Sequence, residues 1–238
     1  MTSKSRDTWL RGLSLVGFLV IWQVIALMLD DPLVPGPDVV LASLWQHATD
    51  GDLFYNLGIT LLRVAASFTV AMLIGTAIGI IMGRYPRLDA GLDGMLVLGL
   101  NIPALVTIIL CYIWFGLTEA AAITAVALNK IPNTVVTVRE GARAVDRKLL
   151  QVADAFDLPP MLKLRQVYMP QLYPYLMAAA RSGLALIWKI VLVAELLGRS
   201  NGVGFQLSTF FQFFDITSIL AYTLAFATVV LLVEALLL

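Results

Sequence analysis

Charge is scarce in this sequence, and thiols and imidazoles are almost missing. Only 13% of its 238 residues are Asp, Glu, Lys or Arg, about half the share found in soluble domains. Hydrophobic residues supply 60%, and the mean hydropathy is +0.88. A water-soluble globule of this length cannot hide so much apolar surface. Sixteen basic and sixteen acidic residues cancel, so no global field argues for nucleic acid as a partner. The single cysteine, Cys111, excludes a disulfide framework and a multi-thiolate metal site. The single histidine, His47, lies in a polar stretch and reads as a solvated side chain without a role. No phosphate loop of the Gly-x4-Gly-Lys-Ser/Thr kind occurs, and no His, Cys or carboxylate set clusters in the sequence. Neither a catalytic centre nor a metal site is expected on this chain.

What the sequence has instead is long apolar runs. Gly12–Leu29, Val64–Gly83, Gly94–Thr118 and Ile216–Val233 contain no charged residue. Each approaches the ~20 residues a helix needs to cross a bilayer. Two more runs are punctured by charge: Ala120–Val138 holds Lys130, and Leu172–Leu197 holds Arg181, Lys189 and Glu195. Inside hydrocarbon the backbone must satisfy itself, so these runs predict six transmembrane helices in an all-α membrane protein. A membrane β-barrel would show alternation instead. The first run follows Lys4, Arg6 and Arg11, as a signal peptide would. It is long and lacks a small-residue cleavage pattern, so it is expected to stay as a signal anchor.

Charge placement predicts orientation. With the N-terminus inside, the inner face collects Lys4, Arg6, Arg11, Arg84, Arg87, Arg139, Arg143, Arg147, Lys148, Lys163 and Arg165. The outer face receives Arg63, at an expected helix end, and Arg199. The outer loop Asp30–Asp52 has five aspartates and no Lys or Arg. By the positive-inside rule both termini are expected in the cytoplasm. After Pro35-Gly36-Pro37, the spacing of Val40, Leu44 and Trp45 predicts a short amphipathic helix on the outer surface. Gly116 with Leu117 predicts a tight turn, and Gly202-x-Gly204 another, since a nucleotide fingerprint would need a preceding strand and a third glycine.

Gly75, Gly79 and Gly83 form a small-residue strip, read as ordinary packing within the chain rather than a dimerisation face. Pro103 and Pro132 are expected to kink the third and fourth spans. Arg181, near the inner end of the fifth span, is expected to snorkel or meet a neighbouring helix. Lys189 follows Trp188 deep in that span, Lys130 lies between Asn129 and Asn133, and Glu195 is the acidic group inside a span. Two readings stand for these charges. Lys189, Trp188, Asn129, Lys130 and Glu195 line a path for a small anion. Alternatively, Lys189 or Lys130 pairs with Glu195 as a strut, or snorkels. The six-residue spacing of Lys189 and Glu195 disfavours an intrahelical pair.

The largest inner segment, from about Arg139 to Met169, is polar and broken by Pro159-Pro160. Phe156, Leu158 and Met161 stand among charges there, a pattern suited to insertion into a groove on a soluble partner. The segment resembles the cytoplasmic signature of permease subunits of bacterial ATP-binding-cassette (ABC) importers: Glu-Ala-Ala, three residues, Gly, nine residues, Ile-x-Leu-Pro. With the last proline on Pro170, the Ile falls on Val167, the Gly on Asp157, and the triplet on Gln151, Val152 and Ala153. Similarity continues along the chain: Leu33-Val34-Pro35-Gly36-Pro37 with Leu44-Trp45, Ile113-Trp114-Phe115-Gly116, Gly141-Ala142-Arg143-Ala144-Val145-Asp146, and Ala194-Glu195-Leu196 leading to Asn201-Gly202-Val203-Gly204-Phe205. These stretches are similar to the branch that imports nitrate, taurine and aliphatic sulfonates.

The resemblance implies a type I importer permease fold, with an N-terminal helix on a five-helix core, in one domain over 1–238. It implies a coupling segment at about 147–166 in which Gln151, Val152, Ala153, Asp154, Phe156, Asp157, Leu158 and Met161 meet an ATPase. Asp157 must then supply the positive φ that the family's glycine allows. It also implies cytoplasmic ABC ATPase subunits carrying ATP and Mg, a periplasmic substrate-binding protein, a second permease copy or homologue, and a place in the bacterial inner membrane. The expected function is passage of a small, anionic solute such as nitrate, a sulfonate, taurine or bicarbonate. An ion-coupled secondary transporter or channel using Lys130, Lys189 and Glu195 as relays is the alternative, although such carriers usually have more spans and inverted repeats. A membrane-embedded enzyme lacks the residues it would need.

Overall fold

A computed structural model describes residues 3–237. The side chains of residues 3–12, 15 and 237 lie outside the described residues, and with them the basic groups Lys4, Arg6 and Arg11 of the expected anchor. Among the described residues all regular structure is helical. The chain divides into two compact units, residues 1–58 with 201–238, and residues 59–200.

In the first unit, α1 (Ser3–Leu29) leads to α2 (Pro37–Thr49). Pro37 opens α2 with its φ already suited to a helix, and the Trp22 indole N–H donates to the Pro35 carbonyl at 3.0 Å. The predicted amphipathic helix is present: Val40 is buried and Trp45 exposed. His47 is not simply solvated. It lies 2.9 Å from Ser218 Oγ and edge-on to Tyr222, tying α2 to α11 (Ile216–Leu237). The expected Gly202 turn has φ 101 and opens an unpredicted helix, α10 (Val203–Gln212). The Gly202 N–H donates to Asn56 Oδ1 at 2.8 Å, near the start of α3 (Leu53–Arg84).

The second unit is built around α6 (Glu119–Arg143) and α9 (Met169–Gly198). Gly75, Gly79 and Gly83 of α3 face α6 as the packing reading required. A Cβ at these glycines would come within 2.6 Å of Thr134, 2.8 Å of Val138 and 2.5 Å of Ala142. Val138, Ala142, Leu172 and Ala179 form a buried cluster between α6 and α9. A smaller cluster joins Met82, Leu96 and Val135.

Two expectations change. The third apolar run is not a single kinked span: α4 (Pro86–Asn101) and α5 (Ala104–Phe115) meet at 97°. Pro103 forces Ile102 into extended backbone, φ −71 and ψ 123, and a helix cannot continue through it. Pro132, by contrast, sits inside an unbroken α6. The second span begins not at Val64 but at Leu53, so Arg63 lies well within α3 rather than at its end. Among the described residues, α3, α6, Pro160–Gly198 and Ile216–Leu236 are long and apolar enough to cross a membrane. The α4–α5 pair forms a fifth, broken span or a re-entrant loop, and α1 adds the shorter apolar stretch Val16–Leu29.

Candidate functional site

The polar segment after α6 folds as α7 (Arg147–Ala155), a turn, α8 (Pro160–Lys163) and a π-helical turn, Leu164–Tyr168, that runs into α9. Asp146 starts α7 by accepting the Lys148 N–H at 2.8 Å, and its own N–H is held by Gln171 Oε1 at 2.8 Å. The helix stops in a Schellman turn: the Leu158 N–H donates to the Ala153 carbonyl and the Asp157 N–H to that of Asp154, both at 3.0 Å. The residue that must turn left-handed is Asp157, with φ 48. An aspartate here does the work of the signature's glycine, since its short polar side chain tolerates that region better than most. An ion pair between Asp154 and Lys163 spans the turn.

The expected docking residues fall on two faces of this segment. Ala153 is 2% exposed and belongs to the inward face, where it seats α7. Gln151, Asp154 and Asp157 are exposed, and Leu158 is half-buried. Leu149, Val152 and Phe156 recur at i, i+3 and i+7 and are all exposed, Phe156 at 77%; Met161, beyond the turn, is 73% exposed. They form an apolar stripe without a partner in this chain among the described residues, flanked by charge. Leu149 was missed by the sequence reading because the signature starts at Gln151, although its spacing from Val152 would have found it.

The five expected path residues do not share one environment. Lys130 is 1% exposed and lies against Gly183 of α9, where a Cβ would come within 2.5 Å of its Cε. Trp188 is buried and Asn129 half-buried, but Lys189 is exposed on the outside of α9. Arg181 is exposed as well. Glu195 is 0% exposed and pairs with Arg63, not with either lysine, which overturns the strut reading as far as its partner is concerned.

That pair belongs to a network unforeseen in the sequence. Arg63 Nη1 donates to Glu195 Oε1 at 2.7 Å, and Thr60 Oγ1 lies 2.9 Å from both Glu195 oxygens. Arg63 also grips Glu119, the first residue of α6, through Nε at 2.7 Å and Nη2 at 2.6 Å. Arg199, just past α9, bonds to Glu119 and to the Leu117 carbonyl. Three helices are thus locked at one end by two arginines and two glutamates, a bidentate arrangement that satisfies the buried charges. The signal was available: Leu53 to Leu62 holds no charge, so the run extends back eleven residues from Val64 to Leu53 with Arg63 as its one charge.

Comparison with known proteins fits this architecture. Residues 75–238 match the family model described as binding-protein-dependent transport system inner membrane component. A transport permease of Bacillus subtilis (strain 168) named for aliphatic sulfonates is 30% identical over 229 residues, covering 95% of this chain and 83% of that protein. The taurine transport system permease protein TauC of Escherichia coli (strain K12) is 28% identical over 237 residues, covering 97% of this chain and 86% of its own length. Among solved structures, a chain of the MetNI methionine ABC transporter in an inward-facing conformation superposes with a TM-score of 0.66 at 18% identity, covering 78% of this chain and 92% of that one. At that identity the likeness concerns the fold, and it is the fold of an ABC importer permease. The match across most of the chain, together with that fold, makes this protein a member of the family of binding-protein-dependent transport system inner membrane components.

Proposed function

We propose that this chain is the membrane-spanning permease subunit of an ATP-driven importer for a small organic or inorganic anion, of the sulfonate, taurine or nitrate kind. The reading rests foremost on one observation: α7 is seated through Ala153 while Leu149, Val152 and Phe156 stay exposed beside Met161. An apolar stripe on a short helix outside the spans suits a groove on a soluble subunit. That subunit is an ABC ATPase, which carries ATP and Mg; this chain contributes motion and a path, not hydrolysis. The whole of 1–238 works as one permease domain, with both termini on the ATPase side in the bacterial inner membrane. A second copy or homologue completes the pore, and exposed Lys189 on α9 lines the path between the two copies, where its charge attracts an anion. Lys130 and Trp188, inside the bundle, and half-buried Asn129 act on the path through α9. Glu195 holds the closed end of the bundle through Arg63. A separate binding protein delivers the solute on the opposite face.

Reconstitution with the ATPase and binding protein in proteoliposomes tests this. Uptake of a labelled sulfonate should require ATP. Uptake that persists without ATP on an ion gradient would identify a secondary carrier instead. Lys189→Met should lower uptake of the anion several-fold while the complex still assembles, and unchanged uptake would remove Lys189 from the path.

A further inference from the structure

Behind α7, on the side away from the exposed stripe, lies a cleft of about 580 Å³. Its walls come from the last turn of α3, the start of α4, the end of α6, α7 and the α8 turn. Four basic side chains line it, Arg84, Arg143, Arg147 and Lys163, against two carboxylates, Asp89 and Asp154. Both carboxylates are already engaged: Asp89 by Arg143 and Arg139, Asp154 by Lys163. Arg84 and Arg147 have no carboxylate within ion-pair distance among the described residues. Tyr168 lines the same cleft, and its hydroxyl is buried without a hydrogen-bond partner among the described residues. The rest of the lining is largely apolar, including Ile80, Met82 and Leu164.

Two arginines without acidic partners and a hydroxyl able to donate make a phosphate-shaped demand: a diffuse anion with several acceptor oxygens. The apolar lining sets the class further. A free phosphate would leave that surface facing water, whereas a phospholipid fills it with glycerol and the first acyl carbons. Position agrees, because Arg84 is the last residue of α3, where the apolar run gives way to the charged start of α4. We infer that this cleft holds the phosphate of an anionic phospholipid, clamped between Arg84 of α3 and Arg147 of α7. Without the anion, the two guanidinium groups repel each other across the cleft. With it, α7 is tied to the end of α3, so membrane composition sets how firmly the docking stripe is presented. This consequence rests on the docking reading of α7; the lipid site itself does not.

The test uses the intact permease–ATPase complex in nanodiscs of phosphatidylethanolamine with or without phosphatidylglycerol, and native mass spectrometry of the lipid retained after detergent extraction. The double variant Arg84→Gln/Arg147→Gln should retain phosphatidylglycerol about thirtyfold more weakly, taking roughly 1 kcal/mol for each arginine. Arg84→Lys/Arg147→Lys should keep most of the retention, which separates charge loss from misfolding. Arg87→Gln, an exposed arginine outside the cleft, should change nothing. Unchanged retention in the Gln pair, or an equal loss in Arg87→Gln, overturns the site. Complete displacement by millimolar inorganic phosphate overturns the lipid as occupant. Phe156→Asp keeps the two readings apart: it should shed the ATPase yet leave lipid retention in the permease intact. ATPase retained in Phe156→Asp, with lipid still lost in the Gln pair, would refute the docking reading and leave the lipid site standing.

Discussion

Helix α6 carries a cluster of charges at each end, and the two clusters are built on opposite principles. At one end Arg63, Glu119, Glu195 and Arg199 balance to zero, and Arg63 and Glu195 are sealed from solvent. At the other, Arg139 and Arg143 pair with Asp89, Asp93 and Glu140 on a half-open surface, and Arg84 and Arg147 have no carboxylate partner among the described residues. A closed network spends its charges on holding helices together. An open one leaves charge and apolar surface for something outside the chain. The first end therefore fixes the bundle, and the second, which carries α7, leaves its stripe exposed.

The sharpest way to break this contrast is Glu195→Ala. It leaves Arg63 buried without its buried carboxylate partner, and unfolding of the purified protein in detergent should show a loss of about 3–5 kcal/mol. Replacing Arg63 and Glu195 together with Met should recover much of it, because no lone charge remains. Next in size comes Ala153→Arg. A long charged side chain on the seated face of α7 overpacks its contact, costing about 1–3 kcal/mol, seen as faster amide exchange in 147–158. Phe156→Asp on the opposite face should leave that exchange unchanged while losing the ATPase in pull-down. The smallest effect belongs to Arg143→Ala at the open end, within about 1 kcal/mol, since its ion pairs are solvent-screened. Equal losses in Arg143→Ala and Glu195→Ala would erase the distinction between the two ends.

Much of the site was legible from spacing. The turn at Asp157 follows from counting back from Pro170, and the glycine strip follows from four-residue intervals on one face. Gly116, with φ 69, ends α5 where the turn was expected. The length of α3 is not legible from charge alone, because Arg63 reads as a boundary. Charge marks the end of a span only when it reaches water, and Arg63 reaches Glu119 and Glu195 instead. The break at Pro103 and the continuity at Pro132 could not be told apart either. Proline removes one backbone donor in both places, and neighbouring packing decides whether the helix bends or stops.

Sequence alone determined that this is a helical membrane protein, where its polar segment lies, and that no nucleotide loop accompanies it. Those conclusions depend on composition and on local periods, which backbone hydrogen bonding and bilayer thickness convert directly into structure. Only the tertiary structure decided which charges meet. Glu195 pairs with a residue 132 positions away in the sequence, and Lys189 and Trp188, adjacent in the chain, point to different surroundings. Ala153 and Phe156 likewise divide between a seat and a stripe. Burial and partnership depend on how helices pack against one another, and no period in a single helix encodes the identity of its neighbour.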